Sequence, residues 1–104
     1  MKQARFTFTP KDSLLTIVIN EKHFDASHVG DFKKMLDDAW QKEIKAVTID
    51  MGPVNFIDSS GIGALLSVQK RLSSSNEPVT LINTTPNVAN IIELLRLHRV
   101  FSMQ

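Results

Sequence analysis

Nine residues, Asn55-Phe56-Ile57-Asp58-Ser59-Ser60-Gly61-Ile62-Gly63, separate two stretches of different apolar period. Before them, over residues 46–51, Val47, Ile49 and Met51 alternate with Ala46, Thr48 and Asp50, which is the period of a half-buried strand. After them, residues 64–72 carry the spacing of an amphipathic helix. The chain must leave a strand and enter a helix within this junction, so an α/β unit is imposed here. The first turn of a helix has backbone N–H groups without internal partners and the positive end of the macrodipole. An anion is favoured there. Gly61 and Gly63 lack side chains and are expected to leave the surface beside the serines low enough for close approach by another protein. Such chemistry suits a serine that receives a phosphate better than one that attacks a substrate.

The rest of the chain continues the alternation. Residues 5–9 set Phe6 and Phe8 against polar neighbours, and residues 14–20 set Leu15, Ile17 and Ile19 against Thr16 and Asn20. Pro10-Lys11-Asp12-Ser13 between them is turn chemistry, which predicts an antiparallel hairpin. Residues 21–25 read as a short loop. A helix starts near Asp25 or Ser27, either of which can cap it, with Val29, Phe32, Leu36, Ala39 and Trp40 on its apolar stripe. Gly30 within that helix reads as a site of close packing against a neighbouring backbone. The strand at 46–51 ends at Gly52-Pro53, and the second helix runs from about Ser60 to Leu72 with Ile62, Leu65, Val68 and Leu72 facing inward. Ser73-Ser74-Ser75-Asn76 reads as a loop and residues 79–83 as a further strand. Thr85-Pro86 opens a third helix whose stripe is Val88, Ile91, Ile92 and Leu95, and residues 99–103 form a short last strand.

This order predicts an α/β fold with a small mixed sheet: an N-terminal antiparallel hairpin, then parallel strands over residues 46–83. Buried parallel strands are continuously apolar, and these alternate instead. Helices are therefore expected mostly on one face, with the other face partly open. The 104 residues suffice for one domain, residues 1–104, with its own core. No cysteine is present, which excludes disulfides and thiolate metal sites. No stretch approaches the roughly 18 apolar residues of a membrane span, and Met1-Lys2-Gln3-Ala4-Arg5-Phe6 has no apolar signal core, so a cytoplasmic protein without membrane insertion is expected. The net charge is +1 with dispersed basic residues, which argues against nucleic acid as a partner.

The junction fits no catalytic motif. A nucleophile elbow needs glycine two residues before the serine, where Ser59 has Ile57 and Ser60 has Asp58. A phosphate-cradling G-x-x-x-x-G-K-[ST] loop is absent. His23, His28 and His98 have no metal-ligand spacing and read as solvated surface histidines. Phe32 and Trp40 read as core, and Lys33-Lys34 and Lys70-Arg71 as solvated helix faces. Asp58, Ser59 and Ser60 are each good helix caps, worth ~1 kcal/mol. Capping needs one such residue, not three followed by Gly-x-Gly, so capping and signalling both stay open on the residues alone.

The run Val47-Thr48-Ile49-Asp50-Met51, followed by Val54-Asn55-Phe56-Ile57-Asp58-Ser59-Ser60-Gly61-Ile62-Gly63-Ala64-Leu65-Leu66, resembles the signature of a stand-alone STAS domain of the anti-sigma factor antagonist family. The element order matches over nearly the whole chain, and Phe24-Asp25-Ala26 resembles the Leu-Asp-x-x that precedes the family's first helix. Asn20 stands where the family commonly has a glycine. The resemblance implies a non-enzymatic regulator with the STAS fold and no cofactor of its own. It implies that Ser59, directly after the aspartate, accepts phosphate. It places partner contacts at Asp25, Asn55, Asp58, Ser60, Gly61, Ile62 and Gly63. The implied partners are a serine-protein kinase or anti-sigma factor with a histidine-kinase-like ATPase fold, and a metal-dependent serine phosphatase. Two other classes compatible with the sequence are a non-switching STAS subunit of a membrane lipid-transporter ATPase complex and a small nucleotide-binding sensor.

Overall fold

Five strands hydrogen-bond into the main sheet of the computed structural model, which describes residues 5–72 and 77–104. In chain order the elements are β1 (Phe6–Lys11), β2 (Leu14–Ile19), β3 (His23–Phe24), α1 (Ala26–Ala39), β4 (Ala46–Asp50), β5 (Phe56–Ile57), α2 (Ser59–Arg71), β6 (Thr80–Ile82), α3 (Pro86–Leu94), a 3-10 turn at Leu97–Arg99, and β7 (Ser102–Met103). The loop expected at Ser73-Ser74-Ser75-Asn76 lies outside the described residues.

The hairpin forms as the alternation requires, with β1 antiparallel to β2 from Phe6↔Ile19 to Lys11↔Leu14. Its turn is shorter than expected. Pro10 and Lys11 belong to β1, and only Asp12 and Ser13 turn the chain, with Asp12 at φ 56°. Proline is tolerated there because β1 is an edge strand, where a missing N–H leaves no gap in a ladder. The sheet order is β1-β2-β4-β6-β7, and every pairing after the hairpin is parallel. Asn20 does not occupy the left-handed region that the family's glycine suggested; Asp12, Asn83 and Arg96 do.

Register decides which face is buried. Ile17, Ile49 and Leu81 stand opposite one another across β2, β4 and β6, and all three are fully buried. Their neighbours Thr16, Val18, Thr48, Asp50, Thr80 and Ile82 are only half-covered. This two-tone pattern is what helices on one face of a sheet produce. Against the buried face pack Phe32 and Leu36 of α1, Ile62, Ala64, Leu65 and Val68 of α2, and Val88 and Ile92 of α3. Each such large apolar side chain contributes ~1.5–3 kcal/mol on burial. Phe6, Phe24 and Phe32 meet edge to face with ring centroids 5.1–6.0 Å apart, which locks β1, β3 and α1 into one corner.

A second sheet was not anticipated. Residues 21–25 and the segment after β4 read as loops, yet His23–Phe24 and Phe56–Ile57 pair in parallel, His23 opposite Phe56 and Phe24 opposite Ile57. Strands of two residues carry no period to read. Other expectations also change. Trp40 is half-buried at the end of α1, where the Arg71 guanidinium lies 5.6 Å from the ring centroid and also pairs with Asp37. That contact takes Arg71 out of the solvated-face reading and ties the C-terminal ends of α1 and α2. Leu95 leaves the stripe of α3 because the helix ends at Leu94, and it is exposed. Among the described residues no helix is long and apolar enough to cross a membrane.

Gly30 is exposed, and a Cβ built on it meets nothing within 4 Å, so close packing does not explain it. Gly30→Ala should raise the stability measured by urea unfolding by about 1 kcal/mol, the helix-propensity difference between the two residues. A loss of stability would show a contact at this position in solution.

Candidate functional site

The junction lies where β4 ends and the N-termini of α1 and α2 meet. Asp50 Oδ1 accepts from the Gly52 N–H (2.9 Å) and Asn83 Nδ2 (3.2 Å), which turns the chain out of β4. The following segment is held from two sides. Asn55 and Phe56 both donate their N–H groups to the Lys22 carbonyl, at 2.7 and 3.0 Å. From the other side the Thr85 hydroxyl donates to the Val54 carbonyl at 3.0 Å, and Asn87 Nδ2 donates to Asn55 Oδ1 at 3.4 Å. Thr85 thus spends its hydroxyl on this loop instead of capping α3.

Asp58 then closes the corner. Its backbone is extended, and Oδ1 accepts from the Gly61 N–H at 3.0 Å, so Asp58 is the N-cap of α2. Its other oxygen, Oδ2, accepts from the Ala26 N–H at 3.3 Å, the first residue of α1. Asp25 caps α1 by accepting from the Ser27 N–H (3.0 Å) and the Ser27 hydroxyl (2.6 Å). The Ser27 hydroxyl first of all holds the Asp25 carboxyl below its ordinary 3.8; desolvation opposes it, and the Ser27 N–H and the nearby His28 and His23 add smaller lowering effects.

With Asp58 as the cap, Ser59 and Ser60 become the first two residues of α2, one residue earlier than the spacing indicated. Ser59 is exposed and Ser60 half-buried. The two glycines part company. Gly63 is exposed, and a Cβ there would meet nothing within 4 Å. Gly61 is buried; a Cβ there would collide with the Phe24 carbonyl oxygen and lie 2.6 Å from Ile57 Cγ1. The expectation that Gly61 lowers the outer surface is therefore corrected: its missing side chain lets α2 sit against β3. Ile62 is likewise turned into the core, at 6% exposure.

On the outer side of α2, Ser59, Gly63, Leu66 and Lys70 are all exposed. Their spacings of four, three and four residues put them on one helical face. Phe56 adds an aromatic ring, 47% exposed, edge-on to the exposed His23 at 5.8 Å between centroids. The sequence reading passed over Phe56 and Leu66 as surface and did not couple His23 to the junction. The β3–β5 pairing makes that coupling, and nothing in the sequence announces it. His28 departs from the solvated reading as well. Its side chain is 16% exposed, with Nε2 3.7 Å from Glu21 Oε2 and Nδ1 3.2 Å from Asp25 Oδ1, the latter without hydrogen-bond alignment. Among the described residues no three His, Asp or Glu side chains converge as metal ligands.

A sequence model of the STAS domain matches residues 7–104. No match was found among curated protein sequences. Among solved structures, an anti-sigma-factor antagonist (STAS) domain protein from Planctomyces limnophilus superposes with a TM-score of 0.86 at 19% identity, covering 99% of this chain and 91% of that one. A Thermotoga maritima protein described as an anti-sigma factor antagonist gives 0.83 at 22% identity, covering 94% and 84%. The Bacillus cell fate determinant SpoIIAA, solved in its phosphorylated form, gives 0.71 at 18% identity, covering 95% and 90%.

Gly61→Ala should cost ~1–3 kcal/mol by overpacking, whereas Gly63→Ala should leave stability unchanged or raise it by up to ~1 kcal/mol. Equal effects of the two substitutions in urea unfolding would contradict this division. A second outcome concerns pH. A carboxyl whose folded value is depressed stabilises above its unfolded value and loses that contribution as pH falls through the folded one. The stability difference between the native chain and Asp25→Asn should therefore be constant at neutral pH and shrink only below the ordinary 3.8. A difference that already shrinks between pH 7 and 5 would contradict this origin in the depressed Asp25 carboxyl.

Proposed function

Because the chain belongs to the STAS domain family, we propose that it is a phosphorylation-controlled, partner-switching regulator of the anti-sigma factor antagonist type. The carrying observation is the division of labour at the start of α2. Asp58 does the capping, and Ser59 beside it is exposed at the first helical position. A helix start with its cap already supplied leaves a hydroxyl whose presentation needs another reason. The likeness to a protein known in a phosphorylated form supports the same reading.

Unphosphorylated, the chain docks on a serine-protein kinase or anti-sigma factor with a histidine-kinase-like ATPase fold. Phe56, Ser59, Gly63 and Leu66 supply the contact surface. Asp25, Asn55, Asp58, Ser60, Gly61 and Ile62 hold the backbone beneath it in shape. The kinase brings ATP and Mg²⁺; the chain brings the Ser59 Oγ, which attacks the γ-phosphorus as its proton leaves and ADP departs. No catalytic group of its own is required, which makes it a substrate and regulator in the cytoplasm and not an enzyme. A phosphate adds about −1.5 to −2 charge at pH 7. Inside the interface that charge must be desolvated, and a hundredfold loss of affinity needs only ~2.7 kcal/mol. A metal-dependent serine phosphatase reverses the mark.

Phosphopeptide mass spectrometry after reaction with the cognate kinase should place the phosphate on Ser59. Ser59→Ala should abolish labelling and Ser60→Ala lower it only partly. A phosphate found mainly on Ser60 would overturn the site assignment. Persistent association with a transporter ATPase and no phosphate in cells would favour a fixed subunit instead.

A further inference from the structure

At the far end of α3 the surface changes character. Leu94 is 82% exposed, the most exposed large apolar side chain among the described residues, and Leu95 (54%) and Val100 (36%) lie close to it in the chain. Around them stand Glu93, Arg96, His98 and Arg99, all exposed, two arginines against one carboxylate. Neither arginine forms an ion pair among the described residues. Cations at a helix C-terminus are favoured by the dipole, which accounts for the charges but not for the leucines. Arg96 also holds φ 60°, a left-handed position at a helix end where glycine or asparagine is cheaper. The corner is firmly mounted: Leu97 packs against the core, Phe101 is buried, and the N–H groups of Val100 and Phe101 both bond to the Leu97 carbonyl.

We propose that this corner is a second docking surface, independent of Ser59, whose occupant is an acidic amphipathic segment of another protein. Charge selects the occupant. Two copies laid patch to patch would bring four arginines together with only the two Glu93 carboxylates, a net positive surface against itself. A membrane surface needs two strong attachment signals, and a pair of arginines with three apolar side chains falls short of that. An apolar stripe edged with carboxylates satisfies both the leucines and the arginines. Independence follows from placement. Asn87, near the start of α3, contacts the loop of the switch, and Leu94 lies seven residues further, about 10 Å along the helix axis. The chain then has two separate ends, one that answers the kinase and one that stays tethered.

The test replaces Leu94 with p-benzoylphenylalanine in the full chain in its native host, followed by photo-crosslinking and mass-spectrometric mapping of the adduct. The expected adduct lies in an acidic, leucine-bearing segment of a different protein. Its yield should be the same in a Ser59→Ala background, and should fall about tenfold, equivalent to ~1.4 kcal/mol, when Arg96→Glu and Arg99→Glu are added. Urea unfolding of the arginine double variant should stay cooperative and lose only the attraction of the helix terminus for cations, which separates lost docking from lost folding. Adducts confined to a second copy of this chain, to lipid, or absent altogether would overturn the proposal. An adduct that vanishes with Ser59→Ala would overturn its independence. Failure to find phosphate on Ser59 would sink the switching reading and leave this result standing.

Discussion

One carboxylate makes this corner of the fold possible. The N-termini of α1 and α2 each present unpaired N–H groups and a positive dipole end, and two such ends brought together repel. Asp58 stands between them, one oxygen on Gly61 of α2 and the other on Ala26 of α1. Its charge opposes both dipoles, and its two oxygens satisfy a donor on each helix. The backbone around it is fixed by independent means: the Asp58 N–H bonds to the Phe24 carbonyl, and β3 pairs with β5. Gly61 lets the first turn of α2 lie against Phe24 and Ile57 without a collision. Remove any of these and the two helix starts must separate, taking Ser59 with them.

The main sheet and three helices were legible because their periods are long enough to read. Val47, Ile49 and Met51 alternate unmistakably, and Pro86 marks the start of α3 where its fixed φ belongs. The mixed fold, its STAS membership and the parallel strands over residues 46–83 all followed from such runs and from the motif. What failed depended on neighbours distant in sequence. The β3–β5 pair joins residues more than thirty apart through two residues each. The choice among Asp58, Ser59 and Ser60 as cap is made by the Phe24 carbonyl, which no local preference encodes. Gly61 and Gly63 look alike in the sequence, and only the proximity of Phe24 tells them apart.

The pinning of the loop also constrains how a switch here can act. Lys22, Thr85 and Asn87 hold residues 54–56 from opposite sides, so Ser59 sits on a preformed surface and not on a strand of slack chain. A phosphate at the first position of α2 gains 0.3–1 kcal/mol from the helix dipole. Asp58 beside it opposes this by about 1 kcal/mol at 4 Å in water. Two terms of similar size and opposite sign would leave the isolated domain nearly indifferent to the proposed modification.

An interface is not indifferent, because it removes the water that makes both terms small. Coulomb repulsion between the phosphate and Asp58 grows as the effective dielectric falls, from about 1 kcal/mol at 4 Å in water to ~4 kcal/mol near a protein surface. The dipole's attraction has a much lower ceiling, about 2 kcal/mol even in partly buried geometries. In the proposed switch, docking would turn this near balance into a net repulsion without requiring any movement in the chain. The same carboxylate that holds α1 and α2 together would thus supply the charge against which a phosphate on Ser59 is read. Its structural role keeps it in place: Asp58 cannot swing away from the phosphate without releasing Gly61 and Ala26. A regulator built this way can be insensitive in solution and sharp on its partner, with the fold itself providing the fixed charge.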